Sequence, residues 1–89
     1  MYVVICFYRP DSAALRDTHR AAHMEYLNAN AARIAYGGPL KHSADGPSTG
    51  ALIVLDCATR EEAEAIIGAD PFYRAGVYES VSVRAFKQV

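Results

Sequence analysis

The chain has 89 residues, of which 52% are apolar and 21% charged, with a formal net charge of −1. This length suits one domain over residues 1–89 and leaves too few residues for a second hydrophobic core. The scattered acids and bases form no basic stripe for nucleic acid, no apolar run approaches the roughly 20 residues of a membrane helix, and the N-terminus MYVVICFYRP lacks a signal-peptide pattern. We therefore expect a cytoplasmic protein without nucleic-acid or membrane partners.

The first part of the chain predicts a strand and a long helix. Residues 2–8, YVVICFY, are apolar without interruption and are followed by the turn signal Arg9-Pro10-Asp11. A helix capped by Asp11 or Ser12 is expected to run to about Ile34, because this stretch is rich in Ala, Leu, Arg and Glu and contains no Pro or Gly.

The middle of the chain predicts two strands separated by a loop. IAYGGPL is expected to form a short strand broken by Gly37-Gly38-Pro39, and KHSADGPSTG, residues 41–50, has the Gly, Pro, Ser and Asp content of a loop. ALIVLDC, residues 51–57, predicts the third strand.

The last third predicts a helix, a turn and a strand. Thr59 and Glu62 have the spacing of a capping box for a helix that reaches Gly68, and Asp70-Pro71-Phe72 opens a turn or short helical piece. The last strand, VYESVSVRAF at residues 77–86, alternates so that two faces are expected. One face is predicted to carry Val77, Glu79, Val81 and Val83, and the other Tyr78, Ser80 and Ser82.

These elements follow the order βαββαβ, which is the ferredoxin-like α+β fold with an antiparallel four-stranded sheet and two helices on one face. In that fold the first and third strands are central, and here YVVICFY and ALIVL are apolar on both faces. Two helices cover only one face, so the other is expected to pack against a second copy in a homodimer. The alternative is a cover formed by loop 41–50 and the C-terminus.

The cysteines and histidines do not form a recognisable metal site. Cys6 and Cys57 lie in apolar segments without a Cys-x-x-Cys pair, which is typical of reduced core thiols. His19 and His23 are four residues apart on one helical face, but HRAAH lacks the glutamate of the zincin motif and a third ligand is missing. We predict neither a metal nor a cofactor.

His23 lies on the apolar stripe of the predicted first helix, on the side expected to face the sheet. A buried imidazole exchanges protons near neutral pH, which suits acid–base chemistry. The alternative is a core histidine that is hydrogen-bonded to a backbone carbonyl.

Four segments together resemble the YciI-like (YCII-related domain) family over nearly the entire chain: RAAHMEYL at 20–27, GGPLKHSADG at 37–46, GALIVLD at 50–56 and ADPFYRAGVYESVSVRAF at 69–86. The most specific pieces are His23 with Tyr26 and Leu27, Gly38-Pro39-Leu40, and Asp70-Pro71-Phe72. The resemblance implies a dimeric α+β barrel of ferredoxin-like type, related to muconolactone isomerases. It also implies a characteristic His and Asp, which match His23 and Asp70, and one known activity, dehydrochlorination of a chlorinated hydroxyquinol.

A carboxylate that accepts one ring N–H fixes the imidazole tautomer and raises the basicity of the other nitrogen. Asp70 is therefore predicted to orient His23, although an Asp before Pro also caps short helices. Substrate-binding positions are predicted for five residues, with a bulge or core packing as their structural alternatives. These residues are Tyr8, Tyr26, Gly38, Pro39 and Phe72.

The predicted function is that of a small cofactor-independent enzyme that performs proton abstraction, elimination or isomerisation on a small cyclic or aromatic ligand. The alternative is a non-catalytic ligand-binding or accessory module whose histidine is structural. A third possibility, a haem-handling or oxygenase relative, rests only on the similarity of such barrels.

Overall fold

The computed structural model describes residues 1–89 and contains one four-stranded sheet and two main helices. In chain order the elements are β1 (Tyr2–Tyr8), α1 (Ala13–Ala29), a 3-10 turn (Ala31–Arg33), β2 (Ile34–Lys41), β3 (Ser48–Leu55), α2 (Arg60–Gly68), the one-turn α3 (Pro71–Arg74) and β4 (Tyr78–Ala85). Apart from the short α3, this is the predicted βαββαβ order, and the ferredoxin-like fold is confirmed.

The sheet is antiparallel with strand order β2-β3-β1-β4. The prediction that the first and third strands are central is therefore confirmed. These strands lie between neighbours on both edges, and their uninterrupted apolar sequences supply side chains to both sheet faces.

One sheet face packs against the helices and holds the hydrophobic core. Strand residues Val4, Cys6, Ile53, Leu55 and Val83 form a buried cluster with residues of α2 and α3. The opposite face carries the alternate residues, where Phe7 is 45% exposed and Tyr36 51% exposed. No helix is both long and apolar enough to cross a membrane.

Helix α1 ends earlier than the composition predicts, at Ala29 instead of about Ile34. The side chain of Asn30 donates to the carbonyl of Tyr26, four residues earlier, and the chain then tightens into the 3-10 turn. The carbonyl of Arg33 accepts the backbone N–H of Asp56, which ties the turn to the end of β3. The backbone N–H of Asn30 also bonds the Tyr26 and Leu27 carbonyls, so Asn30 satisfies carbonyls of the last helical turn where the chain changes to the tighter 3-10 pattern.

The predicted break at Gly37-Gly38-Pro39 and the predicted loop over 41–50 are both corrected. Strand β2 continues through the glycines and Pro39 to Lys41, and β3 begins at Ser48. Thr49 Oγ1 donates to the Leu40 carbonyl at 3.2 Å, so a polar, glycine-containing segment is paired as a hairpin. Pro39 is tolerated because β2 is an edge strand.

The start of α2 is as predicted, since Thr59 Oγ1 accepts the backbone N–H of Glu62. At α1, Ser12 occupies the cap position without capping through its side chain, and its hydroxyl accepts a hydrogen bond from Arg16 Nε instead. Asp70 caps α3 by accepting the backbone N–H of Phe72, with Pro71 at the first helical position.

The predicted faces of the last strand are wrong at its start. Tyr8 pairs with Tyr78 but Phe7 pairs with Ser80, so a bulge leaves Glu79 without a partner on β1. One extra residue reverses the alternation. Tyr78 therefore joins Val83 in the core on the helix-facing side, and Glu79 is exposed.

Candidate active site

His23 lies near the middle of α1 and points toward the junction between α2 and α3. Its Nδ1 is 2.7 Å from Asp70 Oδ1, and its side chain is 12% exposed whereas that of Asp70 is 1% exposed. A carboxylate accepts hydrogen bonds and has no hydrogen to donate. Nδ1 of His23 therefore carries the proton and donates a hydrogen bond to Asp70 Oδ1. The two predicted catalytic residues are thus in direct contact.

The Asp70 carboxylate accepts three hydrogen bonds and has no unpaired oxygen. Oδ1 accepts from His23 Nδ1 and, at 3.0 Å, from the backbone N–H of Phe72, while Oδ2 accepts the hydroxyl of Tyr78 at 2.7 Å. The capping role and the pairing with histidine therefore coexist in one side chain.

Phe72 fixes the plane of the imidazole. The two rings are parallel within 2° with their centroids 3.9 Å apart, and Tyr8 meets Phe72 edge-on at 6.4 Å. Stacking on one side and the hydrogen bond at Nδ1 leave the ring one orientation. No protein group hydrogen-bonds Nε2, and no buried polar side-chain atom lacks a partner, so Nε2 is open to solvent or a ligand.

A cavity of about 510 Å³ lies between α1 and the β2–β3 side of the sheet, and His23 is part of its wall. Helix α1 contributes Arg20, His23, Met24, Leu27 and Asn28. The 3-10 turn and the strands contribute Tyr8, Ala31, Ile34, Gly37, Gly38, Pro39, Ser48, Ala51 and Ile53, and Phe72 completes the wall. Its size is that of a small-molecule site.

The cavity wall contains one permanent cation, Arg20, and no carboxylate. Asp70 lies behind His23 and not on the surface of the cavity. At the same end, the Arg16 guanidinium lies 4.4 Å from the centre of the Tyr8 ring. Such a wall favours neutral or anionic ligands over cations.

Four of the five predicted substrate-binding residues line this cavity: Tyr8, Gly38, Pro39 and Phe72 directly, with Gly37 beside them. Tyr26 does not, because its hydroxyl donates to the Ile66 carbonyl at 2.6 Å and so ties α1 to α2. A substrate-binding role for Tyr26 stays a prediction that its position does not favour. The structure brings no three His, Cys, Asp or Glu side chains together as a metal site.

Tyr78, the third partner of the His23–Asp70 pair, was not predicted from the sequence, nor were Arg20, Met24 and Asn28 as parts of the cavity wall. Arg20 and Leu27 stand three residues before and four after His23, so helical spacing alone placed them beside it. Tyr78 had no such signal, since the bulge that turns it inward has no mark in the sequence.

Burial raises the pKa of the two groups that face Asp70 from the sheet. The pKa of Tyr78 is raised by burial and then by its hydrogen bond to Asp70, so its hydroxyl stays protonated. Burial, followed by the charge of Asp70, raises the pKa of the Cys6 thiol from 9.0 to about 11. Both the Tyr78 hydroxyl and the Cys6 thiol are therefore protonated and neutral near neutral pH.

The fold and the site define a class: ferredoxin-like α+β proteins with a buried carboxylate–histidine pair beside a cavity. The chain matches the YCII-related domain over residues 1–87 and belongs to that family. It is 33% identical over 96 aligned positions to Protein YciI of Escherichia coli O6:H1 and to Protein YciI of Shigella flexneri, covering 100% of this chain and 98% of each relative.

The solved structures similar to this chain include the following two. The first is 5-chloro-2-hydroxyhydroquinone dehydrochlorinase (TftG) from Burkholderia phenoliruptrix AC1100 in complex with 2,5-dihydroxybenzoquinone, with a TM-score of 0.90, 27% identity and coverage of 99% of this chain and 94% of that one. The second is At3g17210 from Arabidopsis thaliana, with a TM-score of 0.50, 9% identity and coverage of 99% and 93%, which shows the fold alone.

Proposed function

We propose that this protein is an enzyme that moves a proton on a small cyclic or aromatic substrate, in an elimination such as dehydrochlorination or in an isomerisation. His23 is the general acid/base, and Asp70 orients it. The observation that supports this most strongly is the 2.7 Å contact between Nδ1 and Asp70 in a ring whose Nε2 has no protein partner.

The direction of proton transfer follows from this geometry. The carboxylate of Asp70 holds Nδ1 as the protonated nitrogen, so Nε2 keeps its lone pair and accepts a proton from a substrate. The imidazolium that forms is stabilised by the carboxylate 2.7 Å away. The same Nε2–H then returns the proton to another atom of the substrate or to solvent.

In an elimination, Nε2 takes a proton from a carbon or oxygen of the substrate, and the electron pair of that bond moves toward the ring. The carbon–halogen bond breaks and the halide leaves with its electron pair, so the net change is loss of one proton and one halide. In an isomerisation the proton returns to a different atom of the same molecule. Neither reaction needs an external oxidant or reductant.

The cavity wall is consistent with a planar ring as substrate. Tyr8 and Phe72 offer aromatic surface, the backbone at Gly38 and Pro39 leaves room beside them, and Arg20 supplies a positive charge. The similar dehydrochlorinase was solved with a small dihydroxyquinone, which is a planar, oxygen-substituted ring. We propose phenolic or enolic rings as the substrate class to screen.

The test is a screen of halogenated di- and trihydroxybenzenes for halide release, with deuterium exchange into cyclic ketones as a readout of proton abstraction alone. On any substrate that is consumed, His23→Ala and Asp70→Asn should lower kcat/KM by roughly 10² to 10⁴. His19→Ala is the matched control, one helical turn earlier and outside the cavity wall. Unchanged turnover in His23→Ala contradicts the proposal.

The alternative is a ligand-binding module, and the tight stacking of His23 on Phe72 is the observation that favours it. In such a module His23 would only pack against Phe72 and pair with Asp70, and its Nε2 would have no chemical role. Equilibrium binding of ring compounds that are neither deuterated nor converted, and that bind equally well to Asp70→Asn, would support the module and exclude the enzyme.

We also propose that the protein is a homodimer through the sheet face that lacks helices. Ile5, Phe7 and Leu52 share this face by strand alternation, and Phe7 and Tyr36 are about half exposed. Sedimentation should show a dimer that Phe7→Glu dissociates. A monomeric wild type contradicts this.

Both cysteines are free thiols, which fits the proposed location in the reducing cytoplasm.

A further inference from the structure

Tyr78 lies on the far side of Asp70 from His23. Its hydroxyl donates to Oδ2 at 2.7 Å, whereas His23 uses Oδ1 at 2.7 Å. Both Tyr78 and Asp70 are buried. The three side chains therefore form one chain of contacts that runs from the interior of the sheet to the cavity.

The bulge in β4 is what brings Tyr78 to this position. Regular alternation would place Glu79 on the helix-facing side of the sheet, the side on which Asp70 lies, and Tyr78 on the opposite face. With the bulge, Glu79 is exposed and a neutral donor takes the place of a second carboxylate. Bulges often redirect a single side chain in this way beside active sites.

We propose that Tyr78 is a positioning residue of the His23–Asp70 pair: its hydroxyl locks the carboxylate in the rotamer that presents Oδ1 to Nδ1, and it limits how strongly that carboxylate retains the imidazolium. This inference rests on the proposed function for its consequence in turnover. Its structural content rests on the contacts of Asp70 alone.

The locking follows from the geometry of a carboxylate. The backbone N–H of Phe72, at 3.0 Å, and the ring of His23 both donate to Oδ1. These two donors oppose rotation about the Cβ–Cγ bond, but they act on one of the two oxygens. Tyr78 opposes it at the other oxygen. Removing the hydroxyl leaves Oδ2 buried without a donor, which makes a rotated carboxylate competitive.

The second effect is electrostatic. Each hydrogen bond to a carboxylate spreads its negative charge and lowers its attraction for a proton nearby. Without the Tyr78 hydroxyl, Asp70 should hold the His23 proton more firmly, so the imidazolium should persist to higher pH. An acid/base residue must release its proton once per catalytic cycle, and the hydrogen bond from Tyr78 to Asp70 makes that release by His23 easier.

Tyr78 acts as a fixed donor and not as a second acid. Burial and the neighbouring carboxylate raise its pKa, so it remains neutral over the range in which a histidine titrates. Several other titratable groups surround the His23–Asp70 pair. They are Tyr8 and Cys6 from β1, and Arg20 and Tyr26 from α1.

The experiment follows the His23 ring by NMR titration in wild type, Tyr78→Phe and the matched control Tyr73→Phe. Tyr73 is exposed on the same short helix as Phe72 and makes no side-chain hydrogen bond, so it removes a hydroxyl without touching Asp70. We expect the His23 midpoint in Tyr78→Phe to move to higher pH by about half a unit, and in Tyr73→Phe to stay at the wild-type value. An unmoved midpoint in Tyr78→Phe, or one moved to lower pH, overturns the inference.

A second variant keeps the test informative if Tyr78→Phe fails to fold. With 3-fluorotyrosine placed at position 78 alone, the more acidic hydroxyl donates more strongly, so the midpoint should move to lower pH, opposite to the effect of Tyr78→Phe. A midpoint that does not move overturns the inference. A merely structural hydroxyl would change stability without this pair of opposite shifts.

Turnover separates this inference from the proposed function. In an active enzyme, Tyr78→Phe should displace the acidic limb of the pH profile of kcat/KM to higher pH by the same amount as the titration. If no substrate is ever turned over but the His23 titration midpoint shifts, the positioning role of Tyr78 is supported and the proposed enzymatic function is not. If turnover needs His23 and Asp70 but Tyr78→Phe shifts neither curve, the positioning role alone is wrong.

Discussion

The two main helices cover the same face of the sheet in different ways. Helix α2 buries Ala63 and Ile67 against the strands, whereas α1, almost twice as long, has no buried residue and lies over the cavity. The densely packed half under α2 stabilises the fold, so the half under α1 can contain a cavity. His23 lies at the border, with Phe72 of the dense half behind it.

This contrast explains how a polar pair is tolerated in so small a core. The dense half supplies a buried, fully satisfied carboxylate, and the open half supplies access to the imidazole. A histidine in the centre of either half would lack one of these two conditions. The border between packed and open regions is thus where acid–base chemistry becomes possible in this fold.

The largest expected effect comes from truncating one apolar residue in each half. Ile67→Ala should lower the free energy of unfolding by about 2–5 kcal/mol, because the packed neighbours cannot close the space. Leu27→Ala should cost less, because Leu27 is only partly buried and already borders the cavity. Chemical denaturation measures both. Equal losses would mean that α1 is packed as tightly as α2.

The reverse substitution sharpens the same comparison. Ala63→Leu adds volume where no space exists and should destabilise the protein by about 1–3 kcal/mol. Ala51→Leu points into the cavity and should leave unfolding nearly unchanged while it reduces the binding of ring compounds. Melting temperatures and ligand titration check this pair. Loss of stability in Ala51→Leu with intact binding would place the cavity elsewhere.

A smaller effect should appear at alkaline pH, from the thiol behind the pair. Because the pKa of Cys6 is raised from 9.0 to about 11, the folded state keeps a proton that the unfolded state loses. The free energy of unfolding should therefore be undiminished by this group below pH 9 and should fall by on the order of 2 kcal/mol between pH 9 and 11.

Cys6→Ala is the control for this alkaline loss. The variant should be less stable at neutral pH but should show a flatter decline above pH 9, with the remaining slope coming from groups such as Tyr78. Urea unfolding at a series of pH values gives both curves. Parallel curves for wild type and Cys6→Ala would contradict the shifted thiol.

Local sequence signals predicted the framework well where one interaction dominates. Uninterrupted apolar segments marked β1 and β3 as central, and Thr59 with Glu62 marked the start of α2. The His23–Asp70 contact, 47 residues apart in sequence, came from resemblance to a family and not from periodicity. Nothing local joins these two residues.

The remaining features depend on tertiary packing. The bulge at Glu79 is fixed by how β4 pairs with β1, so strict alternation assigned Tyr78 to the wrong face. The space under α1 depends on how far the helix stands from the sheet, which an amphipathic pattern does not encode. Gly37-Gly38-Pro39 looked like a break because their usual turn role was outweighed by pairing with β3.

The most direct test of the His23–Asp70 pair is the nitrogen chemical shifts of the His23 ring at a pH where it is neutral, in wild type and in Asp70→Asn. We predict a wild-type ring protonated at Nδ1 with a free Nε2, and a titration midpoint that falls when the carboxylate becomes an amide. A ring protonated at Nε2, or a midpoint identical in both proteins, would contradict a catalytic pair and make His23 a structural residue.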